Sequence, residues 1–80
     1  MDANDKVKYL PGEIDFILRR GNRVIPIEVK AGRDRSNFNL KNLENLLQEN
    51  RKIPFGIVLY GGVPYTYHKR RLLFWPWWLV

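Results

Sequence analysis

The sequence predicts a small mixed α/β domain, a mixed β-sheet carrying one main helix, and three observations lead there. Apolar and polar residues alternate on both sides of a Gly21-Asn22 pair, the pattern of a β-hairpin. Leu40, Leu43, Leu46 and Leu47 recur at helical spacing. The run Phe55-Gly56-Ile57-Val58-Leu59-Tyr60 is continuously apolar, as in a strand buried on both faces.

Residues 1–10 carry no period and read as a polar tail, with Val7-Lys8-Tyr9-Leu10 as a short first strand at most. Pro11-Gly12 signals a turn and opens the domain proper, residues 11–80. Ile14, Phe16 and Leu18 alternate with Glu13 and Asp15, which makes a one-faced strand over residues 13–18. Residues 23–30 form its hairpin partner. Pro26 has no N–H for a ladder, so it must fall at an edge, a bulge or a non-bonded position. Ala31-Gly32 ends that strand, and a polar loop over residues 33–39 offers Ser36, Asn37 and Asn39 as helix caps. The Leu-rich helix should stop near Arg51, because Pro54 excludes helical backbone at Ile53. After the buried run, Gly61-Gly62 and Pro64 turn the chain, and Tyr65-Thr66-Tyr67 reads as a short strand. His68 to Arg71 is a basic loop, and residues 72–80 are apolar, with Trp75, Trp77 and Trp78 expected in a core or an interface.

Composition narrows the function classes. Eighty residues, 45% of them hydrophobic, suffice for one packed domain and not for two. The absence of cysteine removes disulfides and thiolate metal sites, and a lone His68 removes His-rich zinc sites. No apolar run is long enough to span a bilayer, and the amino terminus has no signal-peptide core, so a cytoplasmic protein without membrane association is expected. No phosphate-loop pattern is present, which excludes ATP hydrolysis by this chain. Fourteen Lys and Arg against eight Asp and Glu leave a net charge of +6, which favours a polyanionic partner. Arg19, Arg20, Arg33, Arg35, Lys69, Arg70 and Arg71 are the candidate phosphate contacts, while Tyr65, Tyr67 and the Trp residues could stack on bases.

The hairpin register concentrates the chemistry. A two-residue Gly21-Asn22 loop pairs Arg20 with Arg23, which sets Asp15 opposite Glu28 and Glu13 opposite Lys30. All four then share one face, and Ile14, Phe16 and Leu18 against Ile25, Ile27 and Val29 form the other, read as the core face. Two facing carboxylates suit a hard cation such as Mg²⁺, with Lys30 placed to orient water or stabilise charge on a phosphate. A plain surface hairpin with a Glu13–Lys30 cross-strand pair is the competing reading of the same residues.

The segments Gly12-Glu13-Ile14-Asp15-Phe16 and Ile25-Pro26-Ile27-Glu28-Val29-Lys30-Ala31-Gly32 resemble the PD-(D/E)xK nuclease superfamily. More narrowly, they resemble the nuclease-like C-terminal domain of prokaryotic AAA-type ATPases, over roughly residues 11–80. The resemblance implies a restriction-endonuclease-like core and a Mg²⁺- or Mn²⁺-dependent endonuclease acting on DNA in preference to RNA. It makes Asp15 and Glu28 metal-binding carboxylates, the Val29 carbonyl a further ligand and Lys30 the catalytic lysine. Glu13 and, on the helix, Gln48 or Lys41 are supporting candidates. The superfamily core usually opens with a helix, for which the residues before Glu13 leave little room. The expectation is therefore a fold completed by a second copy, a preceding domain or a partner chain. The alternative function is a non-catalytic nucleic-acid-binding or assembly module derived from the same fold.

Overall fold

The computed structural model describes residues 14–80. Five strands form one sheet in the order β1-β2-β3-β5-β4: β1 (Phe16–Arg20), β2 (Arg23–Val29), β3 (Gly56–Tyr60), β4 (Tyr65–Tyr67) and β5 (Leu72–Pro76). The central strands β2, β3 and β5 are parallel, and β1 and β4 are antiparallel edges. Among the described residues a single α-helix, α1 (Lys41–Glu49), connects β2 to β3. The expected class, a mixed sheet with one main helix, is therefore the fold observed. Val7 to Glu13, including the short first strand considered for the tail, lie outside the described residues.

The hairpin follows the register that its turn dictates. Arg20 pairs with Arg23 and Phe16 with Ile27 across the Gly21-Asn22 loop. Gly21 has φ +61°, the left-handed conformation that a primed hairpin turn requires. Pro26 lies inside β2, yet the β2–β3 ladder begins only at Ile27↔Ile57. The Lys30 amide donates toward β3, to the Leu59 carbonyl. By alternation the missing N–H of Pro26 would point the same way, just before that ladder starts, so no bond is lost.

The N-cap of α1 is Leu40, which has no side-chain cap, and Asn39 one residue before it accepts the Lys41 amide at 3.1 Å. Leu43, Leu46 and Leu47 face the sheet and pack with Ile14, Leu40, Ile53, Val58, Tyr60, Leu72 and Phe74. Gly56 allows this approach, since a Cβ there would stand 3.0 Å from a Leu43 methyl carbon. At the other end of the helix Arg71, in the left-handed region at φ 56°, donates to the carbonyls of Leu47 and Ile53. The Leu47 bond engages a carbonyl of the last helical turn, one that a helix end leaves without a partner, and the Ile53 bond ties down the segment after it.

Three expectations are corrected. The apolar hairpin face is not the core face: Phe16 is 59% and Leu18 54% exposed, and Val29 is exposed as well. Parallel pairing decides this. Glu28 is in register with Val58, and Val58 faces the helix, so Glu28, Pro26 and Ile17 turn toward α1 while Phe16 and Leu18 turn away. Ile14 is the exception in that set, buried from the segment that precedes β1. In β3 only one face is fully buried; Ile57 and Leu59 on the other are half-buried. The last apolar stretch supplies β5, central in the sheet, but Trp77 and Trp78 beyond it are exposed and not packed in the core.

Candidate active site

Parallel strands bring their carboxyl ends to one side of a sheet, and in open α/β sheets ligands bind outside those ends. Here that side collects the end of β2, the start of β1, the loop over residues 31–39 and the turn after β3. Asp15 stands just before β1, one residue beyond the last ladder pair, Phe16↔Ile27, and alternation breaks there, since Ile14 is buried and Phe16 exposed. The structure ties Asp15 to the end of β2 through the Val29 amide, and Glu28 to Lys30.

The three side chains are in different states. Asp15 is exposed, and its Oδ2 accepts the Val29 amide at 2.8 Å. β1 begins only at Phe16, so the carboxylate takes an edge amide that the ladder leaves over. Glu28 is the one buried charged residue among the described residues, and its Oε2 is 2.8 Å from Lys30 Nζ. Its Oε1 is buried without a hydrogen-bond partner among the described residues. A buried carboxylate oxygen left without a donor costs free energy, so such an atom points to a missing positive or donor group. Lys30 is partly exposed at 27% and spans from the buried carboxylate to solvent.

For a cation, the donors at hand are Glu28 Oε1, an Asp15 oxygen and the Val29 carbonyl proposed from the resemblance. This is an all-oxygen set of the kind that Mg²⁺ accepts while keeping several waters. No group of three or more His, Cys, Asp or Glu suited to a metal forms among the described residues. Glu13, the further acidic candidate, lies outside them.

The basic candidates divide by position. Arg33 and Arg35 lie on the loop after β2, at the same end of the sheet as Glu28. Arg20 is exposed at the hairpin tip, and Arg19 lies on the helix-facing side opposite Val24. Lys69 and Arg70 belong to a 3₁₀ turn, His68–Arg70, at the opposite end, where β5 begins. Arg70 is paired with Glu44 at 2.6 Å, a contact that holds its guanidinium pKa above the ordinary value. Arg71 serves the helix end as described. Gln48 lines a small cleft with Lys69, Arg70 and Arg71, at the end of the sheet away from Glu28.

The loop after β2 is ordered by its own side chains. Asp34 accepts the Ser36 hydroxyl at 2.6 Å and the Ser36 amide at 3.1 Å, and these bonds hold its carboxyl below the ordinary value. Gly32, at φ +95°, turns the chain so that its carbonyl accepts the Gly61 amide at 2.7 Å. Arg35 then reaches back to the sheet, donating to the Tyr60 hydroxyl at 3.0 Å and lying 3.8 Å from the centre of the Tyr65 ring. Sequence reasoning named Arg35 and Tyr65 separately. It could not find their contact, because Tyr60 and Tyr65 reach the loop only through the sheet order.

Fold and site together define a small α/β domain with a carboxylate–lysine hairpin at the carboxyl ends of its parallel strands. Residues 8–79 match the family described as a domain of unknown function, DUF4143, and the chain belongs to that family. Searches of curated proteins and of solved structures returned no match.

Proposed function

We propose that this domain binds nucleic acid, DNA in preference to RNA, and hydrolyses its phosphodiester bonds with the help of Mg²⁺ or Mn²⁺. The observation that carries the reading is Glu28: a buried carboxylate with one oxygen held by Lys30, the other without a partner among the described residues, and Asp15 bonded to the amide of the next residue, Val29. Glu28 and Asp15, with the Val29 carbonyl, would hold the cation. A bound Mg²⁺ would supply charge for the phosphoryl oxygens and a more acidic water. Lys30 keeps its ammonium beside the carboxylate and partly in solvent, where it can orient that water or stabilise charge developing on the phosphate.

The test is cleavage of single-stranded, duplex and branched DNA in Mg²⁺ and Mn²⁺. Cleavage is expected to vanish with EDTA and with Lys30→Ala and to persist in His68→Ala, since His68 lies at the other end of the sheet. Turnover indifferent to EDTA and to Lys30→Ala would remove this mechanism. A second reading, binding without turnover, is favoured by one observation: Asp15 and Lys30 already have partners within the chain, Val29 and Glu28. It predicts salt-sensitive binding, no cleavage with any divalent ion, and Mn²⁺ affinity unchanged by Asp15→Asn.

A further inference from the structure

A groove of about 480 Å³ runs between the loop after β2, α1 and the edge strand β4. It contains neither Asp15 nor Glu28 nor Lys30. Its polar wall is Arg33, Arg35 and Arg70, with the Ser36-bound Asp34 between the first two in sequence, its aromatic wall Tyr65 and Tyr67, and Glu44 closes one side. Arg33 and Arg35 also line a shallower depression on their other flank, where Trp78 is 58% exposed.

From this arrangement we infer a binding site for the phosphate and base of a nucleotide within a single strand. Arg35 is the anion-binding group. Tyr65 stacks beneath its guanidinium at 3.8 Å and the Tyr60 hydroxyl takes one N–H at 3.0 Å, so the fork is fixed before any ligand arrives. A guanidinium has five N–H donors, and among the described residues only this one is engaged by another side chain, which leaves a planar edge suited to a phosphate. Tyr60 is itself completely buried and donates to the Val63 carbonyl, so the support under Arg35 is rigid. Tyr67 is the stacking surface: it is partly exposed, and Arg70 lies over it at the looser distance of 5.3 Å. Stacking on a flat ring requires a base with an open face, which a duplex does not offer along its length.

The position explains how such a site would serve the hairpin. Glu28, Val58, Phe74 and Tyr65 form one row across β2, β3, β5 and β4. Tyr65 is therefore three strand spacings from Glu28, about 14 Å at about 4.8 Å each. Because α1 covers Val58 and Phe74 in that row, a strand held on Arg35 and Tyr67 would reach the hairpin by passing over the loop after β2, at the carboxyl ends of the parallel strands. The inference rests on the proposed function for its class of polymer, but not on the metal or on turnover.

The test is fluorescence-anisotropy binding by the whole chain in EDTA, with a labelled oligothymidylate, the matching duplex and thymidine monophosphate as competitors. The single strand should bind roughly tenfold tighter than the duplex, with Tyr67→Ala and Arg35→Ala each weakening it by about tenfold. His68→Ala, outside the groove, should bind like the unaltered chain. Arg35→Lys, which keeps the charge and loses the stacked fork, should still weaken binding if preorganisation matters, and circular dichroism checks its fold. Displacement by the mononucleotide at similar concentration would assign the groove to free nucleotides and overturn the single-strand inference. Unchanged binding in Arg35→Ala and Tyr67→Ala would overturn the site itself, whatever cleavage shows. Lost binding in those variants, with no cleavage in any metal, would keep the groove and remove only the nuclease reading.

Discussion

Replacing Lys30 by Met leaves the Glu28 carboxylate buried and takes away its cation. At 2.8 Å and an effective dielectric of about 20, the gross attraction is about 6 kcal/mol, much of it offset by the desolvation of both groups. Removing one partner from a fully buried pair costs about 3–5 kcal/mol. Lys30 retains 27% exposure, which lets water replace part of its role and reduces the expected loss to about 2 kcal/mol. For a domain of this size that is a fall in Tm of roughly 10 °C, read by thermal unfolding with Trp fluorescence in EDTA. A cation bound to the native state then stabilises it by mass action, about 2.7 kcal/mol at a hundred times its Kd. Mg²⁺ or Mn²⁺ should therefore recover most of the loss in Lys30→Met and none in the Glu28→Gln/Lys30→Met double variant. If Lys30→Met is as stable as the unaltered chain in EDTA, Glu28 is not the strained buried charge argued here. If metal rescues both variants equally, the cation is bound somewhere other than Glu28.

Two further outcomes follow from the geometry. Leu18→Lys, on the open sheet face, should change stability by no more than about 0.5 kcal/mol. Leu43→Ala, fully buried under α1, should cost about 2–5 kcal/mol in urea unfolding, and equal effects would contradict the assignment of the two faces. The Asp34 carboxyl is held low by Ser36, so its folded-state pKa lies below its unfolded value. Its contribution to the loop is fully present above the unfolded carboxylate range and disappears as pH falls through the depressed value. The Ser36 amide resonance, followed by NMR, should keep its hydrogen-bonded shift to a pH below that at which an ordinary aspartate titrates, and Asp34→Asn should abolish the transition.

The hairpin was legible from Gly21-Asn22 alone, because a two-residue loop of that kind fixes both turn and register. With the register came the pairing of Phe16 with Ile27, since pairing is a local consequence of the turn. The helix was legible from its leucine spacing and from Asn39, both local signals. Its last turn is not: Arg71 reaches it from a distant segment, and a basic residue beside Arg70 carries no mark of a buried role. The Arg35–Tyr60–Tyr65 contact was hidden for the same reason, as its members come from a loop, a central strand and an edge strand.

What the sequence by itself determined is therefore the set of elements and the chemistry of one hairpin face, through turn residues and periodicities that act over a few residues. Which hairpin face lies inward was decided only by tertiary structure. The face with Ile17, Val24 and Pro26 also carries Arg19, Glu28 and Lys30, so alternation alone favoured the one with Phe16 and Leu18. Pairing of β2 with β3 overrode that preference by tying Glu28 to Val58 beneath α1. A carboxylate that sequence reasoning would leave on an open surface is thereby buried against its own lysine, because strand register leaves it no other side.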